Sequence, residues 1–378
     1  MWTDIYTQKS FLSLSAHYLC KDYNLNVAIL GVKEFIAEKK TGANILEQVL
    51  CILDDYNLKK KLLNGMMVTD NGANVVSAFS HYKRLFCACH NINLVMDDVF
   101  EKNPISEISE LIEASKKLVK YLKHSELNKK LTKSLKQHVK TRWNSVYIML
   151  QSIYDVQIEI KSLLLDKDEL NRISKIDFDL LSKLLDFFKF FKECSEKFSS
   201  EKTPTIHIYV LWYDKLKNHC KQKMLDSSII LQLKAKTLQS IEKLLSPTDI
   251  HYVGLFLNPP FEQLNFLSLE QKDQVLSTIK AIIGEYCMEK MEKNNNNESP
   301  NENQEFADNV DIEIENYYNS SKENGNDFLK FWKYANNLKI FSATSERVFS
   351  TSGLILSERR TRLLSTNLDK LLFLNKNM

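Results

Sequence analysis

Glycine and proline are scarce in this chain, at 8 and 6 residues in 378. In its middle third they fall at breaks (Pro204, Pro247, Gly254, Pro259 and Pro260) and leave the stretches between them uninterrupted. No run of about 18 uncharged apolar residues occurs, which argues against a transmembrane helix. The N-terminus, MWTDIYTQKS, lacks a basic start followed by an apolar stretch and does not read as a signal peptide. Seven cysteines, at 20, 51, 87, 89, 194, 220 and 287, are odd in number and scattered. That usage fits reduced thiols in the cytosol or nucleus rather than a disulfide framework. No internal repeat is visible. What remains is a composition ordinary for a soluble globular protein, long enough for one large or two medium domains.

A net charge of +3 conceals strong segregation. Between Glu113 and Trp143 ten Lys and Arg stand against two Glu, a local charge of +8. From Glu285 to Glu315 ten acids stand against two Lys, giving −8; from Lys330 onward nine basic residues stand against three acids, giving +6. The basic blocks can neutralise phosphates without reading sequence. They can equally be solvated faces of Lys-rich helices.

Residues 11–18, FLSLSAHY, alternate, with Leu12, Leu14, Ala16 and Tyr18 on one face, and predict a half-buried strand. LNVAILGV, from Leu25, predicts a second strand. Thr41 ahead of Ile45, Leu46, Val49, Leu50 and Leu53 predicts an amphipathic helix. A short buried strand over Met66–Val68 comes after it and stops at Thr69-Asp70-Asn71-Gly72. Next come a helix over 74–79, an apolar segment at Leu85 and Phe86, and a helix from His90 to Phe100. From about Ile105 to Cys287 the pattern is almost wholly helical. Lys293–Asn309 is polar, acidic and low in complexity, and reads as a linker. The expected domains are 1–104, 105–292, a linker over 293–327, and 328–378.

Several residues could carry chemistry. Asp70, directly after a strand, is placed to hold a divalent cation or to close a structural Asx-turn. Cys87-x-x-His90 has metal-ligand spacing, but no second Cys/His pair lies at useful distance, so no structural zinc is expected. In Thr141-Arg142-Trp143 an arginine can grip phosphate while an indole stacks on a base, or the pair can be a core tryptophan beside a snorkelling arginine. Glu346 follows Ser345, a good N-cap, and the helix dipole alone favours a carboxylate there. Thr366-Asn367-Leu368-Asp369 reads as a capping box ahead of Leu371, Leu372 and Leu374, on a helix suited to burial against the core or a second subunit.

Four of these segments, in this order, resemble motifs of the hAT-superfamily DNA transposases: VTDNGAN (68–74), CACHNINLVMDDVF (87–100), the Arg-Trp motif, and FSATSERVFSTSGLILSERRTRLLSTNLDKLLFLNKN (341–377). Weaker echoes lie in EKFSSEKTPTIHIYV (196–210) and VGLFLNPPFEQLNFL (253–267), the latter with Asn258 where the family usually has Asp. The resemblance implies an α/β fold, a ribonuclease H-like core interrupted by a large all-α insertion. It makes Asp70 and Glu346 catalytic carboxylates for Mg2+ or Mn2+ in phosphodiester hydrolysis and strand transfer. It gives Arg142 and Trp143 to DNA, puts Cys87 and His90 in the core, and assigns dimerisation to the C-terminal segment with Leu368, Leu371 and Leu372. The implied partners are DNA and a second or further copy of the chain, with no membrane and no small-molecule substrate. The implied location is the nucleus.

The chain also departs from that pattern. The family's first aspartate normally precedes a Trp-Thr or Trp-Ser dipeptide, which here is Trp2-Thr3 and would place it just before Met1. Asp4 lies on the wrong side of the dipeptide. The BED-type zinc finger is not in this sequence, and the step from FWKYANNLKIF to SATSERVFS is short. These departures predict a degenerate enzyme that neither cuts nor joins DNA while keeping DNA binding and dimerisation. An interaction module without DNA binding, or a decayed element, are the other readings.

Overall fold

The computed structural model describes residues 1–4, 7–19, 25–102, 104–139, 143–200, 203, 205–256, 267–293, 369, 370 and 373. It is an α/β structure, mostly helical with small sheets, and divides into two compact units. The first comprises Met1–Cys87, Phe198–Leu211 and Pro247–Met378; the second comprises Ala88–Lys197 and Trp212–Ser246.

The first unit begins with β1 (Trp2–Thr3), β2 (Ser10–Leu19) and β3 (Leu25–Glu34), antiparallel in that spatial order. Trp2 pairs with Phe11 across β1 and β2, and the two rings stack. The expected face of β2 holds through Ala16, with Leu12, Leu14 and Ala16 all meeting the core cluster built on α1. The register with β3 slips by one between Leu14 and Ser15 and leaves Leu30 of β3 as the extra residue, so the bulge and the exchange of faces fall on β3. The other face of β2 is covered as well, with Phe11 and His17 buried, while Tyr18 near the strand end, expected to face with Leu12, is 45% exposed.

Helix α1 (Gly42–Asp54) starts as its sequence dictates, the Thr41 side chain accepting the Asn44 amide. Its buried face of Ile45, Val49, Ile52 and Leu53 packs on Leu12 and Leu30 of the sheet and on Phe35, and this cluster is the core of the unit. Helix α2 (Lys59–Asn64), β4 (Met67–Thr69), α3 (Ala73–Ala78) and β5 (Arg84–Phe86) come next. β4 and β5 pair in parallel, Met67 opposite Arg84 and Thr69 opposite Phe86. The segment legible only as apolar at Leu85 and Phe86 is thus a strand.

The second unit is helical. It contains α4 (Ala88–Asp97), α5 (Ser106–His124), α6 (Asn144–Asp155), α7 (Gln157–Leu165), α8 (Asn171–Ser174), most of α9 (Phe178–Phe198), the later part of α10 (Ile206–His219) and α11 (Ser228–Leu244). Its centre is tightly filled, with Ile92, Met96, Leu122, Met149, Leu150 and Phe188 all fully buried. Helix α4 packs on α11, and the Asn91 amide donates to the Leu244 carbonyl. Near the end of α10 a loop is closed by the buried ion pair Lys234–Asp226 at 2.6 Å.

Helices α12 (Asp249–Phe256) and α13 (Leu269–Lys293) belong to the first unit, as does the opening of α10. A Cβ on Gly254 would meet Ile206 Cγ2 at 2.6 Å, so α12 and α10 approach as only glycine permits. His251 stacks on Tyr209 with centroids 4.1 Å apart, and Phe86 of β5 and Phe198 complete the aromatic cluster. The units divide at Cys87/Ala88, whereas the sequence pattern sets a boundary at 104/105. The opening of α10, with α12 and α13, also falls with the sheets, and Tyr209 and His251 there pack on Phe86 of β5.

The His251 ring accepts hydrogen bonds at Nδ1 from the Thr248 amide and hydroxyl, and burial pushes its pKa down to about 4, against a smaller opposing effect of the Thr248 backbone. The unfolded chain, with an ordinary histidine near 6.5, binds the extra proton between those values. Stability contributed by neutral His251 is therefore complete above about pH 6.5 and is lost as pH falls toward 4, amounting to about 2–3 kcal/mol at pH 4.5. Urea unfolding at pH 7 and pH 4.5 checks this: the parent should lose about that much more than His251→Phe, and equal losses would exclude the histidine as the cause.

Candidate functional site

Asp70 leaves the end of β4 half-buried, and its local structure follows from the Thr-Asp-Asn-Gly sequence. The carboxylate Oδ1 accepts the Gly72 amide at 3.0 Å, closing an Asx-turn into α3. The turn is held from β5 by Arg84. Its Nη1 donates to Thr69 Oγ1 at 3.0 Å, to the Asp70 carbonyl at 3.3 Å and to Asn71 Oδ1 at 3.3 Å. The Cys87 amide extends the β4–β5 pairing by donating to the Thr69 carbonyl at 2.7 Å. Sequence reasoning misses Arg84. Its only signal is a charged residue opening an apolar segment, and its role depends on parallel pairing that spacing does not reveal.

The head of β1 lies within electrostatic reach of Asp70. Burial pushes the Met1 α-amine below its ordinary pKa, and the Asp70 carboxylate pulls in the opposite direction. Asp4, two residues past Trp2, is 2% exposed and spent on the β1–β2 turn, where its Oδ2 accepts the Thr7 amide and hydroxyl.

The described residues do not fit a divalent cation at Asp70. One carboxylate oxygen closes a turn, and Asp4 is committed elsewhere. No group of three His, Cys, Asp or Glu gathers to hold a metal among the described residues. Glu346 lies outside them, as do Arg142, Leu368, Leu371 and Leu372.

Trp143 stands at the turn into α6 and is 5% exposed. Stacking on a base would require the indole to leave its pocket. Cys89 is buried with its thiol directed at the Ser195 carbonyl, and Cys194 is buried near it, its thiol pushed up by burial and then by Cys89. Cys87 and His90 are half-buried.

At the far end of the chain, Asp369 returns to the first sheet. Its Oδ1 accepts the Val32 amide at 2.7 Å, and Oδ2 meets Lys33 Nζ at 3.1 Å. Burial pulls the Lys33 amine down, but the hydrogen bond and charge of Asp369, joined by Asp55 and Tyr56, together hold it above its ordinary pKa. The carboxylate expected in a capping box is thus engaged on β3; Thr366 is outside the described residues.

Two family profiles match the chain: the ZBED1 RNase-like domain over residues 1–97, and the hAT family C-terminal dimerisation region over residues 297–378. The transposable element Hobo transposase of Drosophila melanogaster is 32% identical over 270 residues, covering 70% of this chain and 40% of that protein. The chain belongs to the hAT superfamily of transposase-derived proteins. The putative AC transposase of Zea mays is 23% identical over 296 residues, covering 70% of this chain and 36% of that protein. This hAT chain therefore spans about two fifths of the length of the curated relatives it matches. Its dimerisation region contains Asp369, so the contact on β3 ties that region to the first sheet.

Replacing Asp369 by Ala removes the acceptor of the Val32 amide and the partner of Lys33. Hydrogen exchange at Val32 should accelerate by about tenfold, which corresponds to about 1.4 kcal/mol of local opening. Unchanged protection at Val32 would show that the contact contributes nothing to holding the segment.

Proposed function

We propose that this chain is a nuclear, transposase-derived DNA-binding protein that self-associates through residues 297–378, and that the 378-residue polypeptide does not itself cut or join DNA. The observation that carries the reading is the setting of Asp70. It stands at the end of a short parallel strand, beside the head of a three-stranded antiparallel sheet, as the second carboxylate of a ribonuclease H-like core would. Antiparallel β1-β2-β3, then α1 and α2, then β4, α3 and β5, support this reading as an order compatible with such a core. The ancestral reaction is Mg2+- or Mn2+-dependent phosphodiester cleavage and strand transfer with Asp70 and Glu346. No group of three His, Cys, Asp or Glu gathers at Asp70 among the described residues, so the charge that would hold the cations is incomplete there.

Retention of duplex DNA by the full chain should fall steeply with salt, because phosphate contacts release counterions. A metal-dependent nicking assay with Mg2+ or Mn2+ should give no product. Robust cleavage abolished by Asp70→Ala would overturn the inactive reading.

A second reading is an interaction module that dimerises and touches no DNA. The burial of Trp143 favours it, since one of the two side chains assigned to DNA is in the core. Failure to retain DNA at low salt, with self-association intact, would select this reading.

A further inference from the structure

The C-terminal half of α5 carries Lys116, Lys120 and Lys123 at spacings of four and three, on the face opposite buried Leu118, Val119 and Leu122. The helix dipole accounts for cations at this end of a helix. It does not account for cations beyond the helix. After the short 3-10 turn Leu127–Lys130, residues 131–139 run without helix or strand and continue the charge through Lys133 and Lys136.

This run is pinned rather than merely solvated. Glu159 of α7 accepts both the Thr132 amide at 2.8 Å and its hydroxyl at 2.6 Å. Asn128 accepts the Leu135 amide at 2.8 Å, Ser152 the Lys136 amide at 3.0 Å, and Ser145 the Val139 amide at 2.9 Å. Leu127, Leu131 and Leu135 are buried beneath it, every fourth residue, so Lys129, Lys130, Lys133 and Lys136 point outward. The end of the run lies beside the α5 stripe. Burial and then Lys116 push the His138 ring below its ordinary pKa, against the pull of Glu101 and Glu113. Ordering an irregular segment costs backbone entropy, and a solvated connection has no need of four side-chain anchors.

The charge is only partly answered within the chain. Lys116 pairs with Glu113, Lys129 with Glu126 and Lys133 with Asp155. Lys120, Lys123, Lys130 and Lys136 make no ion pair among the described residues.

We propose that this surface, the lysine face of α5 continued by the pinned 127–139 segment, is a docking surface for the phosphate backbone of duplex DNA. It belongs to the second unit, whereas Asp70 belongs to the first, and it reads no sequence. The proposal rests on the DNA-binding reading above. The Glu159, Asn128 and Ser152 anchors hold the loop in its phosphate-ready shape, so that fewer degrees of freedom are lost on binding.

Fluorescence anisotropy of the full chain with a mixed-sequence duplex of about 30 base pairs, over a salt series, tests it. Lys130→Gln/Lys133→Gln/Lys136→Gln should weaken binding by about tenfold or more and flatten the log–log salt slope by about two to three. Lys167→Gln/Lys175→Gln/Lys189→Gln removes the same charge from exposed positions elsewhere in the same unit and should change binding by less than about threefold. A further variant separates shape from charge. Glu159→Ala removes a negative charge, so simple attraction predicts tighter binding, whereas a pinned docking loop predicts weaker binding, by about threefold. Equal effects of the two lysine triples, or tighter binding by Glu159→Ala, would overturn the docking surface while leaving DNA binding intact. No binding by the parent chain at low salt would overturn the DNA reading itself. Tighter binding of single-stranded RNA than of duplex through the same three lysines would overturn the choice of partner.

Discussion

One guanidinium holds together the part of this fold on which its functional reading depends. β4 and β5 are three residues each, too short for a parallel pair to be robust through its ladder alone. Arg84 starts β5 opposite Met67 and reaches along β4 to grip Thr69, the Asp70 carbonyl and Asn71. That grip fixes where β4 ends and sets the Asx-turn that carries Asp70 into α3.

A second constraint ties the ends of the chain. Val32 and Asp369 are 337 residues apart in sequence, yet the carboxylate accepts the outward-facing amide of β3. Among the described residues β3 is the last strand of its sheet, with β2 on one side, and a strand edge without a partner strand invites association with other chains. Asp369 satisfies one of its amides and neutralises Lys33 beside it. The region matched to hAT dimerisation thereby has an anchor on the first sheet at Asp369.

Elements whose signals are local are legible in the sequence. Thr41 and the Ile45, Val49, Leu53 stripe predict α1, and the structure has Thr41 as its N-cap. Val68-Thr69-Asp70-Asn71-Gly72 joins a strand pattern to turn residues, which puts Asp70 at a strand end. Non-local features escape such reading. The bulge at Leu30 of β3 is one, since nothing in LNVAILGV marks which residue stands without a partner opposite. Arg84 and Asp369 act on partners in other strands. The segments 196–210 and 253–267 resemble parts of a helical insertion, yet Tyr209, His251 and Gly254 pack beside β5, because helical periodicity says which face is apolar and not which neighbour covers it. The lysines between 113 and 143 are visible in the sequence as charge. Their arrangement on a pinned surface, resting on Glu159 and Ser152, is not.

The central proposal is that Asp70 of this hAT chain marks a former cleavage site and that the residues around it do not hold a metal. Direct measurement of Mn2+ binding to the full 378-residue chain, by the paramagnetic relaxation of solvent water, tests that claim without any reaction. The account predicts no saturable binding in the micromolar range and no difference between the parent and Asp70→Asn. Stoichiometric micromolar binding that disappears in Asp70→Asn would contradict it, and would mean that other carboxylates of this chain complete the site.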